Sequence, residues 1–118
     1  MAIFVYGTLM PGRLRWPLIE PHVVGRREAA ISGSLLDTGR GYPGVRLDGL
    51  HLVHGWRLVL GANAAPSAIQ RLDQIEGSDY RRVVVPTSAG PAETYEWLRE
   101  DPAERLLPDG RWEADVER

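Results

Sequence analysis

One stretch of this sequence carries a sustained helical period, and that restriction shapes every fold the chain can adopt. Ala65, Ala68, Ile69, Leu72 and Ile75 fall at i, i+3, i+4, i+7 and i+10, the apolar face of an amphipathic helix. Pro66 suits the first turn of that helix and Gly77 its C-terminal stop. The remaining apolar residues come in short runs rich in β-formers. Ile3 to Tyr6 is a buried-strand run ended by Gly7 and Pro11. Ala29 to Leu36 predicts a strand with Gly33 as a bulge or close-approach point. A turn at Asp37 to Gly41 leads to a short extended piece from Pro43 through Leu47, and His51 to Leu60 predicts a further strand. Tyr80 to Pro86 and Glu93 to Leu98 predict the last two strands, split by a Ser-Ala-Gly-Pro turn. Leu14 to Val24, broken by Pro17 and Pro21, reads as an interrupted helix or a loop. Strands without regular helical crossovers argue against a doubly wound parallel sheet. They favour a small α+β fold, a curled sheet or barrel with helices at its side. The tail from Arg99 is acidic and Pro-broken, with Trp97 and Trp112 as the anchors holding it to the body.

The chain has 118 residues, 43% of them hydrophobic, which suits one compact domain over 1–118 with a real core. No internal repeat, low-complexity segment or linker divides it. A net charge of -2 gives no reason to expect nucleic acid or an anionic membrane as partner. The short basic clusters Arg13/Arg15 and Arg26/Arg27 are diluted by apolar neighbours and read as solvated surface. No apolar run approaches the roughly 20 residues that span a bilayer. The opening MAIFVYGTLMPG lacks the cationic start of a signal peptide, so a cytoplasmic setting is expected.

Two absences exclude whole chemistries. Without cysteine there is no disulfide, no thiolate zinc site and no thiol nucleophile. All 14 basic residues are Arg, which removes Schiff-base chemistry, lysine-anchored pyridoxal phosphate and the Walker lysine. The histidines His22, His51 and His54 lack the helical spacing of a zinc motif, so no metal is expected. Ser32-Gly33-Ser34 is not a nucleophile elbow.

Three places remain as candidates for chemistry. Tyr6-Gly7-Thr8-Leu9 follows a buried strand, where glycine permits a sharp turn and freed N–H groups can receive an anion. The same pattern also suits an ordinary strand-ending turn. Glu76 is the last helical residue before Gly77. The negative end of the helix dipole and burial would both raise its pKa toward the range useful for proton transfer. If solvated instead, it is a carboxylate at a frayed helix end. Tyr42, before Pro43-Gly44, either walls a pocket or caps the end of the barrel.

The order FVYGTLMPG, SGSLLDTGRGYPGV, LDQIEGSDYRRVVV resembles the gamma-glutamylcyclotransferase-like superfamily over about residues 3 to 97. The superfamily includes plant avirulence-induced proteins, gamma-glutamylamine cyclotransferases and antibiotic-pathway deglutamylating enzymes. The Tyr-Gly-Thr-Leu motif and the Leu-Asp-x-x-Glu-Gly-x-x-Tyr-x-Arg block carry the resemblance together. It implies a small closed, mostly antiparallel, six-stranded barrel with flanking helices. It implies Glu76 as the catalytic acid/base, and Tyr6, Gly7, Thr8 and Leu9 as the loop holding the substrate's glutamyl part. Tyr42 and Tyr80 then belong to the pocket wall, and Arg82 has a structural role. The implied substrate is a small gamma-glutamyl amide, cyclised without a cofactor to 5-oxoproline and a free amine. Rival readings are a non-catalytic metabolite-binding protein on the same fold and a cyclotransferase acting on a carrier-bound gamma-glutamyl group.

Overall fold

The computed structural model describes residues 1–113. Its elements in chain order are β1 (Ala2–Val5), α1 (Trp16–Ile19), β2 (Val23–Asp37), β3 (Pro43–Leu60), α2 (Ala65–Glu76), β4 (Tyr80–Val85), β5 (Ala92–Trp97) and β6 (Arg105–Leu106). Short 3₁₀ turns at Glu20–His22 and Gly77–Asp79 follow the helices.

The strands form one six-stranded sheet in the order β4-β5-β1-β3-β2-β6. Neighbouring strands pair antiparallel, β4 with β5 included, except that β5 runs parallel to β1 through Ile3↔Glu93 and also meets β3 in parallel through Val45↔Glu96. This arrangement follows from strand length. β1 has four residues, so β5 runs past its end and reaches the first half of β3, which curls the sheet. The expectation of a closed, mostly antiparallel barrel is therefore met in part. The fold is α+β with a curled, mixed sheet, and no pairing joins β4 to β6 among the described residues.

The strands β2 and β3 are longer than the sequence suggested, and the reason is local. Their ladder jumps from Gly33↔His51 to Ser34↔Arg46, so residues 47–50 bulge out of an otherwise continuous β3. A Cβ on Gly33 would stand 2.7 Å from the Arg46 carbonyl oxygen, the close approach that its place in a strand predicted. The strand β6 was not expected. Its two residues pair with Leu36 and Asp37, and side chains hold the tail around it. Trp97 Nε1 donates to Glu104 Oε1 at 2.6 Å and Arg46 Nη2 to Glu104 Oε2 at 2.8 Å. Trp97 and Trp112 are both buried, as their role of anchors requires.

The core lies in the concave side of the sheet, where Ile3, Leu35, Val45, Val53 and Leu58 are fully buried. Each such side chain contributes roughly 1.5–3 kcal/mol by leaving water. Helix α2 closes this side with Ala65, Ala68, Ile69 and Leu72, four of the five residues its period selected; the fifth, Ile75, is half-buried. The helix ends at Gly77, whose φ of 70° and ψ of -161° suit glycine alone. That stop leaves Glu76 as the last helical side chain, at the rim of the core. Among the described residues no helix is long and apolar enough to cross a membrane.

Candidate active site

The end of β1 builds the first wall of the site. The Met10 N–H donates to the Gly7 carbonyl at 3.1 Å, closing a tight turn in which the N–H groups of Thr8 and Leu9 take no part in the closing bond. A second turn follows, Arg13 N–H to the Met10 carbonyl at 3.0 Å, and the Arg15 N–H returns to the Thr8 carbonyl at 2.7 Å. The chain from Gly7 to Arg15 is thus a folded corner and not a free loop. Gly7 is there for room. A Cβ at this position would come within 2.5 Å of Pro43 Cγ, so the β1 turn and the Tyr42-Pro43 turn meet because residue 7 has no side chain. On the facing side, Thr38 Oγ1 donates to the Tyr42 carbonyl at 2.6 Å and pins the turn that presents Tyr42.

These walls enclose a pocket with about 380 Å³ of empty space, its open mouth included, lined by Phe4, Val5, Tyr6, Gly7, Thr8, Leu9, Arg15, Tyr42, Pro43, Glu76, Tyr80 and Tyr95. Every residue that the sequence singled out for the site, Glu76, Tyr6, Gly7, Thr8, Leu9, Tyr42 and Tyr80, comes to this one pocket. They arrive from β1, the β2–β3 turn, the end of α2 and the start of β4.

Glu76 is the chemically distinctive member. Burial raises its carboxyl to a pKa of about 7, against the partial pull of the Arg15 charge in the other direction. Its place at the C-terminus of α2 acts in the same sense as burial. No described residue donates a hydrogen bond to the carboxyl, which faces the pocket unengaged. The phenols around it behave differently. Burial first, then the neighbouring Glu76 charge, pushes the Tyr80 phenol far up, and burial followed by the Tyr80 and Glu76 charges does the same to Tyr6. Burial and a hydrogen bond to Asp73 raise Tyr95 as well. All three stay protonated donors at neutral pH, while Glu76 is poised to change its charge there.

Those donors are committed to holding the walls. Tyr6 Oη donates to the Tyr95 carbonyl at 2.5 Å, Tyr80 Oη to the Pro43 carbonyl at 2.6 Å, and Tyr95 Oη to Asp73 Oδ1 at 2.7 Å. Tyr42 and Tyr80 each meet Trp97 edge to face, with the Tyr80 and Trp97 centroids 5.1 Å apart. Arg82 stands behind the pocket, where it bonds Asp73 and Glu93. Among the described residues no three His, Asp or Glu side chains group as a metal would require.

The sequence missed Arg15. Its neighbourhood reads as diluted basic surface, yet the side chain lines the pocket beside Glu76 and is partly buried. The segment between β1 and β2 is broken by prolines and carries no period, so no local signal told which way Arg15 faces. Tyr95 was also missed. It is buried within β5 and lines the site because β5 lies beside β1 as a parallel neighbour, while its hydroxyl is turned to Asp73.

Comparison with known proteins decides the family. The description "Gamma-glutamyl cyclotransferase, AIG2-like" matches residues 3–114, nearly the whole chain. The chain belongs to the AIG2-like gamma-glutamyl cyclotransferase family. A curated member, the gamma-L-glutamyl-butirosin B gamma-glutamyl cyclotransferase of Niallia circulans, is 35% identical over 74 residues, which is 63% of this chain. The chain spans less than half of that relative, since the match covers 44% of its length. An uncharacterised Pyrococcus horikoshii protein shares the AIG2-like fold at a TM-score of 0.74 and 24% identity, over 94% of this chain and 88% of the other. A mouse AIG2-like protein superposes at a TM-score of 0.70 and 22% identity, over 86% of this chain and 79% of its own. At such identities these two structures speak for the fold alone.

Proposed function

We propose that the protein is a gamma-glutamyl cyclotransferase that converts a small gamma-glutamyl amide to 5-oxoproline and a free amine, with Glu76 moving the protons. The observation that carries this reading is the unengaged Glu76 carboxyl, raised to about 7, in the pocket that the Gly7 to Leu9 turn also lines. Near neutral pH such a group is divided between its base and acid forms, and the reaction needs both.

A gamma-glutamyl amide contains its own nucleophile, so the chemistry asks for conformation and proton movement and needs no cofactor. Glu76 as carboxylate takes a proton from the substrate's α-ammonium. The freed amine attacks the γ-carbonyl carbon, forming the ring C–N bond and placing negative charge on the carbonyl oxygen. The N–H groups of Thr8 and Leu9 are suited to receive that charge. Glu76, now a carboxylic acid, protonates the departing nitrogen as the amide C–N bond breaks. The ring nitrogen then gives up its second proton through Glu76 to the released amine, which leaves as an ammonium ion. Holding the reactive ring-closing conformer contributes on the order of 7–11 kcal/mol of barrier reduction in well-oriented intramolecular reactions. The phenols of Tyr6 and Tyr80 keep the walls in place for that purpose, and Tyr42 closes the mouth.

The test is mass-spectrometric detection of 5-oxoproline from a panel of gamma-glutamyl amino acids, gamma-glutamylamines and glutathione, run beside Glu76→Gln. The wild type releases 5-oxoproline from at least one member, and the variant folds but is slower by orders of magnitude. Thermal stabilisation by these compounds without 5-oxoproline from any of them would instead mark a binding protein. Release only when the gamma-glutamyl group sits on a carrier would mark the carrier-dependent version.

A further inference from the structure

Arg15 differs from several arginines elsewhere in the fold. Arg40, Arg46, Arg81, Arg82 and Arg99 each pair with a carboxylate within 4 Å. Arg15 makes no such pair and no side-chain hydrogen bond among the described residues, although the chain carries 16 acidic residues against 14 basic ones. It is partly buried at the wall of the pocket that holds Glu76, and among the described residues no other cation lines that pocket. Withdrawing a guanidinium partly from water without a partner is unfavourable unless an anion arrives. Its main chain is fixed, since the Arg15 N–H bonds the Thr8 carbonyl at 2.7 Å. The guanidinium and the N–H groups of Thr8 and Leu9 therefore belong to one folded corner.

We propose that Arg15 is a specificity-determining residue that binds the α-carboxylate of the substrate, a role that rests on the cyclotransferase reading of the site. The substrate's chemistry requires that proximity. Its α-ammonium and α-carboxylate sit on the same carbon, so a base serving one and a cation serving the other must be neighbours. Glu76 and Arg15 are close enough for the charge of one to act on the carboxyl of the other. Guanidinium recognises carboxylate through paired N–H donors, a geometry that a hydrated lysine ammonium does not reproduce. The consequence is selection for gamma-glutamyl compounds with a free α-carboxylate, whatever the leaving amine.

The experiment compares wild type, Arg15→Gln and Arg15→Lys on two amides of the same alkylamine. One is the gamma-glutamyl amide, whose sole carboxylate is the α-carboxylate. The other is the 4-aminobutanoyl amide, which lacks it and cyclises to 2-pyrrolidinone. Wild type should favour the first by about 10- to 100-fold in kcat/KM, the range of a charge-assisted hydrogen-bonded contact. Arg15→Gln should lose most of that preference, chiefly through KM, and Arg15→Lys should recover part of it. An unchanged preference in Arg15→Gln overturns the proposal. A second arm needs no turnover: calorimetric binding of 5-oxoproline against 2-pyrrolidinone. If neither amide is cyclised but wild type binds 5-oxoproline through Arg15, the cyclotransferase reading fails and the carboxylate site stands. Equal 5-oxoproline affinity in wild type and a folded Arg15→Gln sinks the site, whatever the rates.

Discussion

Arg82 holds Asp73 through two bonds, Nε to Oδ1 at 3.0 Å and Nη2 to Oδ2 at 3.2 Å. Asp73 lies one helical turn before Glu76, so the pair ties the last turn of α2 to β4. Tyr95 adds a third bond from β5 to the same carboxylate. Burial would raise the Asp73 carboxyl, but the bonds from Arg82 and Tyr95 outweigh it and hold the group below its usual range. Because both partners are substantially exposed, the pair stabilises the fold by no more than about 1 kcal/mol. Its larger effect is on position. Arg82→Gln is expected to fold, to lower kcat by about 10-fold and to leave KM nearly unchanged, since small displacements of a catalytic group are costly. Steady-state kinetics beside a thermal melt check this. A drop in melting temperature with kcat intact would contradict it.

Glu76 makes stability depend on pH in a direction that can be worked out. Its folded pKa of about 7 exceeds the ordinary 4.5, so the folded state binds the proton more tightly than the unfolded chain does. Stability is therefore fullest below about pH 4.5 and declines as pH rises through 7, by a few kcal/mol at most. Glu76→Gln removes the buried charge. The variant should be more stable than wild type near pH 8, by roughly 1–3 kcal/mol, and nearly equal to it near pH 5. Denaturant melts at both pH values decide the matter. A constant difference between them would mean the carboxyl is not buried.

The Tyr80 hydroxyl joins the start of β4 to the Tyr42-Pro43 turn through its 2.6 Å bond to the Pro43 carbonyl. Tyr80→Phe keeps the ring that packs against Trp97 and deletes that bond alone. Its expected stability cost is about 0.5–1.5 kcal/mol, with a rise in KM as the Tyr42 wall loosens. Urea unfolding and a KM determination test the two halves separately.

Gly7→Ala places a methyl where Pro43 already stands, at 2.5 Å from its Cγ. The β1 turn and the Tyr42-Pro43 turn must then part, at a cost of about 1–3 kcal/mol. Loss of 5-oxoproline release should exceed what the stability change explains. Full activity with a lowered melting temperature would show that the contact matters only to the fold.

How much of this was legible in the sequence depended on whether the deciding physics was local. The helical period of α2, its stop at Gly77 and the turn after Ile3–Tyr6 are written in neighbouring residues, and the site parts they position were read from them. The bulge opposite Gly33 split β3 into pieces that read as separate strands. The parallel partners of β5 lie far away in sequence, so neither the mixed sheet nor the approach of Tyr95 to the site had a local signature. Arg15 was lost for a related reason: its main chain is tied back to Thr8 inside a proline-broken segment, a contact that no local period announces. The strand β6 exists because Glu104 binds Trp97 and Arg46, contacts that composition conceals.

The central claim is that the Glu76 carboxyl moves the proton in ring closure. Its most direct test is 5-oxoproline release measured from about pH 5 to 9 for wild type and Glu76→Gln. The wild-type kcat/KM should rise along a single limb with its midpoint near 7, the value burial gives this group. The variant should be nearly inactive and show no limb there. A Glu76→Gln rate equal to wild type, or the same limb persisting without the carboxyl, would contradict the account.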